Sequence, residues 1–154
     1  MKKTLLNQAA KASILGRIDQ LQPSAQAQWG RMSVAQMVCH CGDQFKLASG
    51  EIAVTPKPSF AGRTIMKWLV LGGMPAPKGK VQTYAEIDQV ANGGTSPTLF
   101  ASDIKALKLQ IETFIARGDD FNWQIHPTFG KMSHRQWAKL AYSHLDHHLS
   151  QFGA

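Results

Sequence analysis

The sequence predicts an all-α fold, a four-helix bundle in up-down-down-up order with a long crossover between the second and third helices. Three observations predict it. Four segments carry apolar residues at helical spacing, two of them open on the same Ser-x-x-Gln start signal, and the stretch separating the middle pair is broken by prolines and glycines throughout. At 154 residues with 44% hydrophobic side chains, the chain suffices for one core, and residues 1–154 are read as a single domain.

The first helix runs from about Leu5 to Leu21, rich in Ala, Lys, Gln and Leu, and stops before Pro23. Ser33 caps the second, with Gln36 three positions on, and the helix continues to Ser49 before Gly50 (about 33–49). The third spans about Ser102 to Arg117, with Ile104, Leu107, Ile111, Phe114 and Ile115 on one side and Gly118 as its stop. The fourth repeats the capping box at Ser133 and Gln136 and reaches Phe152. Between helices two and three, the connection 50–101 contains Pro56, Pro58, Gly62, Gly72, Gly73, Pro75, Pro77, Gly79, Gly93, Gly94 and Pro97. It has room for one brief helix, around Ala61 to Leu71, and for no useful strand. Antiparallel neighbours need only short turns, so a connection of this length places helices two and three parallel.

Composition narrows the function classes. The longest apolar run outside the helices, Trp68 to Met74, falls far short of the roughly 20 residues that span a bilayer. The opening Met1 to Leu6 looks briefly like a leader, but Asn7, Gln8 and Lys11 interrupt the apolar run a leader needs, which favours the cytoplasm. Cys39 and Cys41, one residue apart, are too close for an ordinary disulfide and read as free thiols. On the helical wheel Cys39 points outward and Cys41 inward, as a packing residue or a neighbour of the site described next. The charge of +7 would suit anionic partners, yet the cations are scattered and lack the aromatic interleaving of a strand-binding groove. Neither nucleic acid nor a membrane is expected as a partner.

At 100° per residue, Trp137, Leu140, Ala141, His144, Leu145, His148 and Phe152 share one apolar stripe of the fourth helix. Two histidines four residues apart on a core face can aim one nitrogen each at the same cation. The competing reading is a pair of hydrogen-bonded packing residues, but burying four ring nitrogens without a cation needs polar partners that this stripe does not supply. Asp146 points away, and His147 lies at the stripe's edge. A third ligand is nominated by rise: His40 sits about 10 Å from the start of helix two, and the midpoint of His144 and His148 about 9 Å from the end of helix four. Antiparallel packing brings the three to one level, although the wheel puts His40 on a polar flank with Gln36 and Gln44. His126, in the turn His126-Pro127-Thr128-Phe129-Gly130, is either a turn-stabilising side chain or a proton shuttle over the mouth of the site; His134 is expected to face solvent.

The segment His126 to Phe152, together with Trp29-Gly30-Arg31-Met32-Ser33-Val34-Ala35-Gln36-Met37 leading to His40, resembles the DinB-like superfamily, most of all a bacterial branch whose domain has no assigned function. The resemblance covers helices two and four well and the remainder loosely. It implies an up-down-down-up bundle with a metal held by His40, His144 and His148, and His147, Gln44 and Gln151 fall around those ligands. Similar proteins include thiol S-transferases that use low-molecular-weight thiols. Three imidazoles leave coordination positions for water or substrate, as in catalytic sites, and accept zinc, nickel, manganese or iron. The expectation is a metal-dependent enzyme, S-transferase-like or hydrolase-like, activating a thiol or water for a small-molecule substrate, as a monomer or homodimer. The alternative is a metal-stabilised binding or stress-response protein without turnover.

Overall fold

Both capping boxes form as the sequence spells them. Ser33 Oγ accepts from the Gln36 amide while Gln36 Oε1 accepts from the Ser33 amide, and Ser133 and Gln136 repeat the exchange. The computed structural model describes residues 3–56, 59–75, 77–79 and 83–154; Met1 and Lys2 of the leader-like opening, and Pro58 of the connection, lie outside them. Its α-helices are α1 (Gln8–Gln20), α2 (Val34–Ser49), the short α3 (Lys67–Leu71), α4 (Phe100–Arg117) and α5 (His134–Gln151). Among the described residues there is no strand, only an isolated bridge between His126 and Gly130. The fold is all-α.

Helix boundaries follow the caps. α1 starts three residues after the expected Leu5, because Asn7 Oδ1 accepts from the Ala10 amide and closes the N-terminus there. α4 starts two residues earlier than Ser102, where the Asp103 carboxylate accepts from both the amide and the hydroxyl of Thr98 and holds the entering chain against the first turn. The brief helix around Ala61 to Leu71 is present, its first part a π-helical turn over Gly62–Met66.

One core joins the four long helices. Ile14 and Ile18 of α1, Met37, Cys41 and Phe45 of α2, Leu107, Ile111 and Phe114 of α4, and Trp137, Ala141 and Leu145 of α5 are all buried in it. α2 lies against α4 and α5, and α1 against α4 and α5. Paired residues rise together along α2 and α4, where Gly42 faces Gln110 and Phe45 meets Phe114. They run oppositely on α1 and α4, where Lys11 pairs with Glu112 and Asp19 with Lys108.

α2 is buried nearly all round, which its wheel does not suggest. Cys39, expected outward, is buried, and burial pushes its thiol up to about 11, with Asp103 and Asp43 adding to the shift. The covering element is the end of the long connection, two short 3₁₀ turns (Ala85–Ile87 and Gln89–Ala91) laid along α2. Asp43, fully buried, fastens it. Its carboxylate accepts from Gln89 Nε2 (2.6 Å), the Thr95 amide (2.7 Å), the Thr95 hydroxyl (2.6 Å) and Lys46 Nζ (3.1 Å). Gly94, at φ +69°, packs so closely on this cluster that a Cβ would collide with Asp43 Oδ2 and Gln89 Nε2.

Asp43→Ala leaves three donors and a lysine facing an apolar side chain. We expect a loss of about 3–5 kcal/mol in urea-denaturation stability at neutral pH. The same measurement on Lys139→Ala, an exposed position of α5, should stay within about 0.5 kcal/mol of wild type.

Candidate metal centre

α5 carries two of the three imidazoles and α2 the third. His144 and His148 are one turn apart, their ring centroids separated by 4.5 Å, and the His40 ring stands 4.9 Å from each. One nitrogen of each ring lies within 4.8 Å of the other two, and the Nε2 atoms of His40 and His144 are 3.0 Å apart. Two nitrogens on a tetrahedral zinc with bonds of 2.0–2.1 Å would be about 3.3 Å apart. The three nitrogens lie close enough together to share one ion.

The far nitrogen of two rings is spoken for. His40 Nδ1 donates to the Ile87 carbonyl at 3.0 Å, and His148 Nδ1 donates to Gln151 Oε1 at 2.9 Å. Each bond fixes a tautomer with the proton on Nδ1 and a lone pair on Nε2, turned toward the centre of the triad. Gln151 is itself held, its Nε2 donating to the Trp29 carbonyl at 2.5 Å. His144 Nδ1 is buried without a partner, and because His40 Nε2 can only accept, the 3.0 Å contact makes His144 Nε2 the donor.

Electrostatics keep all three rings neutral. Burial lowers the His40 pKa and, joined by the charges of the neighbouring imidazoles, takes His144 well below 6.5; His148 is pushed down to about 3, mainly by burial and then by His40. Neutral imidazole is the form that binds a cation. His40 and His148 turn lone pairs inward, and His144 would complete the set for a divalent ion with its proton moved from Nε2 to Nδ1.

The polar flank assigned to His40 is covered by the 85–91 segment, and the Ile87 carbonyl that covers it is also what orients the ring. Beside His148, the half-buried His147 makes edge contacts to His148 and Trp29, and Lys78 Nζ stands 4.3 Å over the Trp29 ring. Gln44 is buried with Oε1 unpaired. Asp146, half exposed and turned from the triad as expected, pairs with Arg17 at 2.5 Å.

His126 packs on Trp137, two helical turns before His144 and so about 10 Å along the axis. Its Nδ1 accepts from the amides of Thr128 and Phe129 at 3.1 and 3.0 Å, closing the turn, and Tyr84 and Phe129 flank the ring. His134 does not face solvent. It is buried, stacked on Trp123 at 5.0 Å and an interplanar angle of 3°, with Phe114 on its other flank, because the turn before α5 folds back over the helix start.

The features that sequence reasoning passed over are Asp43, the Ile87 carbonyl and the Trp29 carbonyl. Asp43 had a signal, being the single charged residue between Val34 and Phe45 of a helix otherwise apolar or neutral there. Backbone acceptors leave none.

A family model described as "Protein of unknown function (DUF1569)" matches residues 1–154. No curated protein and no solved structure matches the chain.

Burial also depresses His126, to about 4, helped by Lys67, against roughly 6.5 in an unfolded chain. Between these values the unfolded chain binds a proton that the folded one refuses. Stability from this group is complete above about pH 6.5 and declines as pH falls toward 4, by about 3 kcal/mol at most. His126→Asn retains an acceptor at the Nδ1 position without titrating. Denaturation at neutral pH and at about pH 4.5 should give a shallower acid loss for the variant than for wild type; equal slopes would refute the assignment.

Proposed function

The chain belongs to the DUF1569 family, and we propose that it is a metal-dependent enzyme in which His40, His144 and His148 hold one divalent ion: zinc, nickel, manganese or iron. The observation carrying this reading is the pair of outer hydrogen bonds, Ile87 to His40 and Gln151 to His148, which preset two Nε2 lone pairs toward a common point. We further propose the DinB-like arrangement, α1, α2, α4 and α5 as an up-down-down-up bundle. It is supported by the residue pairs along α2 and α4 and along α1 and α4, and by Leu5 and Arg17 meeting Ala138 and Asp146 in parallel order.

Three protein ligands leave at least one position of a tetrahedral shell to another molecule, the arrangement of catalytic rather than structural sites. Held by these three imidazoles, a divalent cation would supply the charge that lowers the pKa of a thiol or water toward neutral pH. The protein's own part is positional. Gln151 and the Ile87 carbonyl hold two imidazoles in fixed tautomers, and α5 sets the spacing of His144 and His148. His147, half-buried beside His148, would be the proton shuttle, a role His126 would share only if its turn opened. Transfer of a low-molecular-weight thiol to an electrophilic small molecule is the reaction class we favour, in the cytoplasm; hydrolysis uses the same site with water.

The test starts with protein purified without an affinity tag and analysed for bound metal. One divalent ion per chain is expected, lost in His40→Ala, His144→Ala and His148→Ala and kept in Lys139→Ala. Gln151→Leu should retain the fold and weaken metal affinity roughly ten- to hundredfold. Absence of metal from wild type, or its retention in all three histidine variants, refutes the site. With the loaded protein, consumption of glutathione, bacillithiol or mycothiol by an electrophile should accelerate; no acceleration with any of them refutes thiol transfer as the reaction class.

A further inference from the structure

The segment 59–75 is nearly all surface. Phe60 is 85% exposed, Trp68 79% and Ile65 63%, and Leu69 and Met74 stand beside them; Gly62 alone is buried. A soluble chain normally scatters such residues singly, so six in one short stretch, Met66 included, mark a contact surface. The helix is held by its other side. Gly62 packs on the Thr128 backbone, Lys67 Nζ donates to the Lys131 carbonyl at 2.5 Å, and α3 lies against α5. Its π turn covers Gly62–Met66 and runs straight into the ordinary turn of Lys67–Leu71.

Charge selects the occupant. From Ile52 to Ala85 the sequence contains no Asp or Glu, and it contains Lys57, Arg63, Lys67, Lys78 and Lys80, five charges of the chain's surplus of seven. A second copy docking by a two-fold axis would bring this stretch against itself, cations facing cations. Nucleic acid would use the charge and the two aromatic rings but gives Ile65, Leu69 and Met74 nothing to bury against. Aromatic and aliphatic side chains set among cations are the composition of a helix lying at the interface of an anionic bilayer. No described helix is long and apolar enough to cross a membrane.

We propose that residues 59–75 dock the protein on anionic lipid surfaces, with Phe60, Ile65, Trp68 and Leu69 entering the headgroup layer and the exposed Arg63 meeting acidic headgroups. This replaces the sequence expectation of no membrane partner, and it is independent of the histidine site.

The full chain is sedimented with phosphatidylcholine vesicles, with and without about a third phosphatidylglycerol. Binding at least roughly tenfold stronger to the anionic vesicles, weakening with added salt, is expected. The double substitution Phe60→Ala/Trp68→Ala should lower that binding roughly tenfold or more while its melting temperature stays at the wild-type value. Trp68→Phe should keep most of the binding and lose the blue shift of tryptophan emission on vesicle addition. No retention on anionic vesicles, equal binding of neutral ones, or undiminished binding by the double variant overturns the proposal. So does concentration-dependent dimerisation, or retention on DNA in the absence of vesicle binding, if the double substitution abolishes it.

Discussion

A carboxylate buried without water must find its hydrogen bonds in the protein, and Asp43 finds all of them in what comes later in the chain or one turn along its own helix. The cost of leaving it unpaired makes the end of the long connection a fixed strap on α2 rather than a free loop. Everything that distinguishes α2 from an ordinary bundle helix follows: its flank is dry, His40 lies in that flank, and the strap's Ile87 carbonyl is in reach of the ring. Lys46 shares the load by pairing with Asp43 and reaching Thr95 at 2.6 Å. The strap thereby couples an ion pair at the edge of α2 to the orientation of an imidazole one turn away.

The histidine cluster gains its character from the same dryness. A hydrated imidazole titrates near pH 6.5, and three of them within ring contact would repel if charged. Burial and mutual repulsion act in one direction here, holding the rings neutral through the physiological range. Two of the three cannot choose between tautomers, since a carbonyl and an amide oxygen each demand a proton from Nδ1. The arrangement is asymmetric, because His144 has no partner on Nδ1 and its Nε2 is tied only to His40 within the triad.

How far the sequence discloses this depends on what covers each helix. On α5, Trp137, Ala141, Leu145, His148 and Phe152 share one buried stripe, and helical spacing alone finds them. On α2 the wheel is a poor guide. His40 looks peripheral because its cover comes from Ile87, some fifty positions away, and a local period holds no record of a distant strap. His134 is misread for a related reason: an aromatic from the preceding turn, Trp123, stacks on it, and nothing in the spacing of α5 announces that partner. The capping boxes, by contrast, are complete within four residues and are legible to the residue.

The two outer partners of the triad differ in kind. Ile87 serves His40 with a main-chain carbonyl, present whatever side chain occupies position 87. Gln151 serves His148 with a side chain, and the same amide also grips the Trp29 carbonyl. Mutation therefore meets the two sides of the site unequally. Position 87 can drift among apolar residues with the His40 bond intact, whereas a single codon at 151 changes the basicity of His148 and the seating of Trp29 together. Variation in this protein's chemistry has its shortest genetic route through the last turn of α5.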